Sequence, residues 1–108
     1  MSVFKYQKDA DGIVTVTMDM SGPVNAINKE YRLAMDETLA RLESESDLRG
    51  VLLASAKKIF FAGADLHELL AAQPGDEAKF FAEVEAVKSQ LRRLETLPMP
   101  VVAAISGA

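Results

Sequence analysis

Residues 50–70, GVLLASAKKIFFAGADLHELL, decide the fold. The run from Gly50 to Ala54 is apolar at consecutive positions, which is typical of a strand covered on both faces in a parallel or mixed sheet. The small residues 62–64 interrupt this pattern, and leucines at helical spacing then predict a short helix that begins at Leu66, with Asp65 as its N-cap, and is ended by residues 73–75. A buried strand, a small-residue turn and a helix in this order indicate an α/β fold.

The residues before this stretch predict a hairpin and a helix. Val3 to Lys8 and Ile13 to Met18 alternate between apolar and polar residues, and turn-forming residues 9–12 separate them, so we expect two antiparallel strands. After Asn28, which is suited to be an N-cap, apolar residues recur at helical spacing. A helix is therefore predicted to run to about Ser44.

The residues after it predict a long helix and a further strand. From Asp76 the apolar positions recur at helical spacing and predict an amphipathic helix; they are Phe80, Val84, Val87, Leu91 and Leu94. Phe80 and Val84 are expected to be core residues. Prolines 98 and 100 end the helix, and 101–105 reads as a second strand that is apolar on both faces. The order ββαβααβ predicts right-handed crossovers. An interior strand this close to residue 108 leads us to expect a truncated domain.

Composition narrows the classes of function. The chain has 108 residues, of which 49% are hydrophobic and 26% charged, so we expect one core and, if compact, about 5,900 Å² of accessible surface. Twelve basic against sixteen acidic residues give a net charge of −4, which disfavours nucleic-acid binding.

Because the chain has no cysteine and one histidine, no metal site is expected. No segment approaches the roughly 18 apolar residues of a membrane span, and we expect a cytoplasmic protein.

The turn at residues 60–66 is the best candidate for chemistry. Ala62, Gly63 and Ala64 carry no bulk, so a ligand can approach the backbone, and amides at a helix N-terminus point outward with the helix dipole behind them. Such amides can hold an oxyanion. The alternative is that these residues only form a tight turn before a helix capped by Asp65.

Other polar residues near the turn have plain structural interpretations. His67 could reach a phosphate but is more simply a solvated helix residue. Asp65 and Glu68 are better explained as a cap and a helix residue than as general acid or base. Lys57 and Lys58 fit a solvated loop, although they could attract a phosphate.

Four segments together resemble the enoyl-CoA hydratase/isomerase (crotonase) family. They occur in the order GPVNAIN, GVLLAS, FFAGADLHEL and LPMPVVAAISGA, and they span nearly the whole chain. The resemblance implies a crotonase-like fold of ββα repeats. Residues 1–108 would then be the N-terminal part of a single domain of this kind.

The resemblance also assigns roles to residues. It implies that the Ala64 amide is one of two oxyanion-hole donors for the thioester carbonyl of an acyl-CoA. The other residues lining the site would be Ala62, Gly63, Asp65 and Leu66. The CoA adenine and pantetheine would be flanked by Val24, Asn25, Ala26 and Ile27. The two catalytic glutamates of the family, and the glycine that donates the second N–H, lie beyond the matching ISGA strand, so we expect residues 1–108 alone to be inactive.

The implied activity is hydration of 2-enoyl-CoA in fatty-acid β-oxidation, with acyl-CoA as substrate and no cofactor. The family resemblance implies a homo-oligomer, a trimer or hexamer. The segments GPVN and SDLRGV are most similar to the N-terminal region of the multifunctional fatty-acid oxidation α-subunit. This similarity implies that the intact protein could belong to a multifunctional complex. NAD would then be used only by a dehydrogenase domain that follows. The alternatives are another acyl-CoA isomerase, hydrolase or decarboxylase of the same fold, and a non-catalytic α/β module that binds a nucleotide-like ligand or a partner through its strand edge.

Overall fold

A computed structural model describes residues 2–108 as a four-stranded mixed sheet with three helices. The strands are β1 (Phe4–Lys8), β2 (Ile13–Met18), β3 (Gly50–Ser55) and β4 (Val101–Ala103). The helices are α1 (Lys29–Ser44), α2 (Leu66–Leu70) and α3 (Glu77–Glu95). The sheet order is β1-β2-β3-β4; β1 pairs antiparallel with β2, and the other two pairs are parallel. The predicted α/β class and element order are confirmed.

The β1–β2 hairpin closes through a turn that requires glycine. The Asp9 carboxylate accepts hydrogen bonds from the backbone N–H groups of Asp11, at 2.9 Å, and Ile13, at 3.0 Å. Gly12 has φ +80°, and a Cβ there would lie 2.9 Å from the carbonyl oxygen of Asp47. Both the left-handed conformation and the close approach exclude a side chain at this position. The predicted hairpin is confirmed.

The core lies between α1 and one face of the sheet. The inward residues of β2 alternate with half-buried ones, and the inward side chains are Val14, Val16 and Met18. Helix α1 begins after Asn28, whose side chain accepts a hydrogen bond from the Tyr31 amide at 2.9 Å, so the predicted N-cap is confirmed. Its buried face comprises Tyr31, Ala34, Met35, Thr38, Leu39 and Leu42. Burying this apolar stripe provides the main driving force for folding.

The expectation that β3 and β4 are covered on both faces is wrong for residues 2–108. Leu52 is only half-buried, and its partner in the neighbouring strand, Val102, is 56% exposed. β4 ends at Ala103 rather than at Ile105, which is 66% exposed. The physical reason is that α1 packs on the opposite face, where Val14 and its neighbours lie.

The prediction that Phe80 and Val84 belong to the core is also wrong. Each is 42% exposed, whereas Val87 and Gln90, further along α3, are buried. The Gln90 side-chain amide donates to the carbonyl oxygen of Arg32 at 2.8 Å and fixes α3 against α1 rather than against the sheet. The apolar face at the start of α3 therefore stays accessible.

The molecule is elongated and leaves much apolar surface open. It measures 50 × 28 × 24 Å, and its accessible surface is 6922 Å², larger than the about 5,900 Å² that we expect for a compact chain of this mass. Within residues 2–108, no helix is both long enough and apolar enough to cross a membrane.

Two leucines of α1 test the location of the core. Leu39 is 0% exposed and Leu33 is 62% exposed. We expect Leu39→Ala to lower the free energy of unfolding by about 2–5 kcal/mol because it leaves a cavity. Leu33→Ala is the matched control and should change it by less than about 0.5 kcal/mol. Urea titration measures both; equal losses would contradict this packing.

Candidate active site

Two loops that are far apart in the sequence run side by side in the structure. The Ala62 amide donates to the carbonyl oxygen of Asn25 at 2.8 Å. The Ile27 amide donates to the carbonyl oxygen of Gly63 at 2.8 Å, and the Asp65 amide donates to that of Ile27 at 3.0 Å. These bonds form a short parallel bridge between Ile27 and Ala64. The two predicted site segments, 24–27 and 62–66, are therefore brought together.

This bridge leaves the Ala64 amide free. Because Ile27 bonds to residues 63 and 65, the N–H of Ala64 points away from Ile27, as alternate residues do in parallel pairing. Within residues 2–108, neither a backbone nor a side-chain acceptor engages this N–H, and Ala64 is exposed. An unpaired N–H held in place on an exposed residue is suited to bind an oxyanion.

The origin of the free amide differs from the sequence-based expectation. Helix α2 has only five residues, and Ala64 lies before its N-cap, Asp65. The Asp65 carboxylate accepts the hydrogen bond of the His67 amide at 2.8 Å, which confirms the predicted cap and occupies an N–H of the first turn. The donor at Ala64 therefore arises from the alternation of the bridge rather than from a helix N-terminus, and a helix this short adds little dipole.

Gly63 is required by its backbone conformation. Its φ is +83°, a left-handed value that side chains disfavour. A Cβ built on Gly63 would meet no heavy atom of residues 2–108 within 4 Å. The space above the turn is therefore open, and a ligand can approach the backbone beside Ala64.

The two carboxylates near the turn are engaged by α1 and α2. Hydrogen bonds from the His67 amide and from the Asn28 side chain lower the pKa of the Asp65 carboxyl below its ordinary value. Glu68 accepts from the Lys29 amide at 2.9 Å and from the Arg32 guanidinium at 3.3 Å. Both carboxylates join α2 to α1, which agrees with the structural interpretation preferred from the sequence.

The basic residues near the turn also have simple environments. The His67 side chain is 97% exposed, and Lys58 is exposed. Lys57 forms an ion pair with Asp19 at 3.0 Å between the amine and carboxylate atoms. Lys57 therefore serves to connect the loop after β3 with the end of β2.

A cavity of about 190 Å³ adjoins Ala64, and sequence reasoning missed it. Its apolar wall combines Ile27 and Ala64 with side chains of α2 and α3, namely Leu69, Phe80, Val84 and Val87. Arg32 stands at the rim, bound to Glu68 and lying 3.8 Å from Glu83. Helical periodicity identified the apolar face of α3 but does not reveal whether that face meets the core or a cavity.

The comparison with protein families decides the classification. The family model for enoyl-CoA hydratase/isomerase matches residues 8–108. The chain belongs to this enoyl-CoA hydratase/isomerase family. The resemblance identified from the four sequence segments is thereby confirmed.

Solved structures agree with the family assignment. An enoyl-CoA hydratase from Mycobacterium smegmatis is 28% identical with a TM-score of 0.80, and the alignment covers 97% of this chain and 40% of that one. Two further neighbours show the fold alone. The enoyl-CoA hydratase from Bacillus anthracis is 23% identical with a TM-score of 0.84, and the alignment covers 98% of this chain and 40% of that one. The enoyl-CoA hydratase from Shewanella pealeana is 19% identical with a TM-score of 0.83, and the alignment covers 97% of this chain and 39% of that one. The crotonase-like fold is confirmed, and the chain spans about 40% of the length of these structures.

The other residues that the family resemblance assigns to the site differ in their exposure. Leu66 is 68% exposed, Val24 and Ile27 are half-buried, and Ala26 is 8% exposed. Asn25 is 0% exposed, and its side chain is bound by protein groups. Contacts between these positions and CoA remain predictions, and for Asn25 the side chain is already committed to the interior.

Replacing Gly63 tests the conformation of the turn. Gly63→Ala should lower the free energy of unfolding by about 1–2 kcal/mol, because a side chain is disfavoured at positive φ. Gly22→Ala is the matched control, since the nearest atom to a Cβ at Gly22, the Val24 carbonyl oxygen, lies 4.0 Å away and φ is not positive. Thermal or urea unfolding compares the two; equal effects would contradict the left-handed turn.

The lowered pKa of Asp65 predicts a pH dependence of stability. A carboxyl whose pKa is lower in the folded state stabilises the fold above its unfolded pKa, about 3.9, and loses this contribution as pH falls through the lower folded value. The stability difference between the wild type and Asp65→Asn should therefore be largest above about pH 5 and shrink toward about pH 2. Urea unfolding over this range measures it. A constant difference would show that the Asp65 charge is not engaged.

Proposed function

We propose that the complete protein hydrates 2-enoyl-CoA and that the Ala64 amide is one donor of its oxyanion hole. The observation that carries this proposal is the unpaired N–H of Ala64, an exposed residue held by the bridge to Ile27 beside a cavity. Membership of the enoyl-CoA hydratase/isomerase family supports it. Residues 1–108 would form the N-terminal part of a single crotonase-like domain.

The role of the amide follows from where charge develops. When water adds to the double bond of an enoyl thioester, electron density moves to the carbonyl oxygen and produces an enolate. An N–H aimed at that oxygen stabilises the transition state more than the substrate and so accelerates the reaction. The hydrogen bonds from Ile27 to residues 63 and 65 hold the N–H in place before the substrate arrives.

The surroundings of Ala64 suit an acyl thioester. Gly63 leaves open space over the backbone, and the cavity next to Ala64 presents Phe80 and Val84 to an apolar chain. The family resemblance implies that residues 24–27 flank the CoA moiety. With acyl-CoA as the proposed substrate, hydration adds a proton and a hydroxide without net oxidation or reduction, so the hydratase step needs no redox cofactor. NAD would be needed only by an adjoining dehydrogenase domain.

The acid and base are not assigned to residues of this chain. Asp65 and Glu68 are the carboxylates nearest to Ala64 in sequence, and both are engaged by donors of α1 or α2. The resemblance implies that two glutamates and a second N–H donor come from the family sequence beyond the part matched here. We therefore assign the activity to the complete protein and expect residues 1–108 alone to be inactive.

Assembly and location are part of the same proposal. The family resemblance implies a trimer or hexamer of identical chains. We place the complete protein in the cytoplasm. The exposed apolar residues Val102 and Ile105, at and beyond β4, support further packing on that edge. Light scattering on the complete protein measures its oligomeric state.

A pair of variants at one position tests the oxyanion role. In the complete protein, Ala64→Pro removes the N–H, while Ala64→Gly keeps it. We expect Ala64→Pro to lower kcat for crotonyl-CoA hydration by about 10²–10³-fold, the usual effect of losing one oxyanion donor, and Ala64→Gly to stay within about 10-fold. The fall in absorbance of the conjugated thioester measures the rate.

The products decide between the proposed reaction and its alternatives. Release of free CoA, or a shifted double bond without hydration, would assign the site to a hydrolase or an isomerase. An Ala64→Pro variant that folds and retains full activity would contradict the role of the amide. Calorimetry that detects acyl-CoA binding without turnover in the complete protein would favour the non-catalytic module.

A further inference from the structure

Asn25 is a fully buried polar residue that binds several chain segments at once. Its exposure is 0%, and its Oδ1 accepts a hydrogen bond from the Met20 amide at 3.2 Å. Its Nδ2 lies 2.9 Å from the Ser55 hydroxyl, 3.2 Å from the Phe60 carbonyl oxygen and 3.3 Å from the Met18 carbonyl oxygen. One side chain thus joins the end of β2, the end of β3 and the loop that leads to Ala64.

Ser55 extends this network to Ile59, the residue before Phe60. Its hydroxyl accepts from Asn25 and from the Lys57 amide, at 3.0 Å, and donates to the Ile59 carbonyl oxygen at 2.9 Å. The carbonyl groups of residues 59 and 60 are therefore both held by one chain of donors. This arrangement ties the approach to the turn to the two central strands.

The backbone of Asn25 makes a further contact with the same loop. Its carbonyl oxygen accepts from the Ala62 amide at 2.8 Å, two residues before Ala64. The ring of Phe61 packs edge-on against Tyr31, with 5.5 Å between ring centroids. Asn25 is thus the residue that restrains the loop through both its side chain and its backbone.

We propose that Asn25 is a positioning residue that sets the location and direction of the Ala64 amide. This inference rests on the proposed oxyanion role of Ala64. It gives the Asn25 side chain a function through the turn rather than through contact with CoA. The Asn25 side-chain amide is buried at the carboxyl ends of β2 and β3. It donates a hydrogen bond to the carbonyl oxygen of Phe60, four residues before Ala64.

The network requires a neutral carboxamide. The Met20 amide can only donate, and the carbonyl groups of Met18 and Phe60 can only accept, so the side chain must offer an acceptor and donors together. Aspartate has the same shape but would set a carboxylate oxygen against these two carbonyl oxygens. Buried polar groups that lose their partners are costly, so the loop is expected to shift to recover them.

Variants of the complete protein test the proposal. Asn25→Asp keeps the shape and removes the donors. Ser55→Ala removes the hydroxyl that contacts Asn25, Lys57 and Ile59. It leaves the Asn25 side chain its contacts with Met18, Met20 and Phe60.

Val14→Ala is the control because Val14 is 0% exposed in the core and pairs with Lys8 and Val51, near the start of β2 rather than at the end that Asn25 contacts. Val14→Ala should lower the stability of the fold without displacing the Ala64 amide, so it shows what a loss of stability alone does to each measurement.

Three readouts separate positioning from stability. The first is the kcat and KM for crotonyl-CoA well below the unfolding temperature. The second is hydrogen–deuterium exchange of amides 60–65. The third is the infrared C=O stretch of bound butyryl-CoA labelled with ¹³C at the carbonyl, which reports polarisation by the oxyanion donors.

We expect Asn25→Asp to lower kcat by about 10–100-fold with KM changed by less than about threefold, because a small displacement of a catalytic donor is costly in rate. Amides 60–65 should exchange faster, and the C=O stretch should move toward that of free butyryl-CoA. Ser55→Ala should show the same changes at smaller amplitude, and Val14→Ala should show none of them. If Asn25→Asp does not fold, Ser55→Ala provides the test.

The outcomes distinguish this inference from the proposed function. Unchanged exchange of amides 60–65 in a folded variant would overturn the positioning role, whatever the activity. Equal losses of kcat in Val14→Ala would also overturn it. If the wild-type protein neither binds nor hydrates enoyl-CoA, the proposed function is contradicted. If amides 60–65 nevertheless exchange faster in both network variants, Asn25 still restrains the turn.

Discussion

The pairing of Ile27 with residues 63 and 65 is the constraint on which the site depends. Its two hydrogen bonds commit the amides of Ile27 and Asp65, and by alternation they leave the amide of Ala64 without a partner. A shift of one residue in this register would present a different amide and reverse which side faces the open space. Which backbone N–H stays unpaired is thus decided by a bridge of a single residue pair.

The remainder of the molecule holds that bridge in place. Asn28 caps α1 and also contacts Asp65, the cap of α2, so the two helices begin from a shared polar junction. Tyr31 packs between Phe4 of the sheet and Phe61 of the loop. Tyr31 therefore connects the core beneath α1 to the loop before the turn, where Phe60 and Phe61 also pack against the core.

The parts that sequence reasoning predicted correctly have local causes. The hairpin follows from alternation and a turn at Gly12, and the helix starts follow from Asn28 and Asp65, whose side chains cap neighbouring amides. The errors concern contacts between distant segments. Phe80 and Val84 lie on an apolar face, but that face lines a cavity because Gln90 and Val87 direct α3 onto α1.

The sequence by itself determined the order of strands and helices, their caps and the family, because periodicity, turn chemistry and the motif around Gly63 are properties of short segments. The tertiary structure alone decided which amide is free and that Asn25 is a buried junction between β2, β3 and the loop. The free amide and the links from Asn25 to β3 and to the loop depend on hydrogen bonds between residues 30 or more positions apart, and no local pattern specifies such partners.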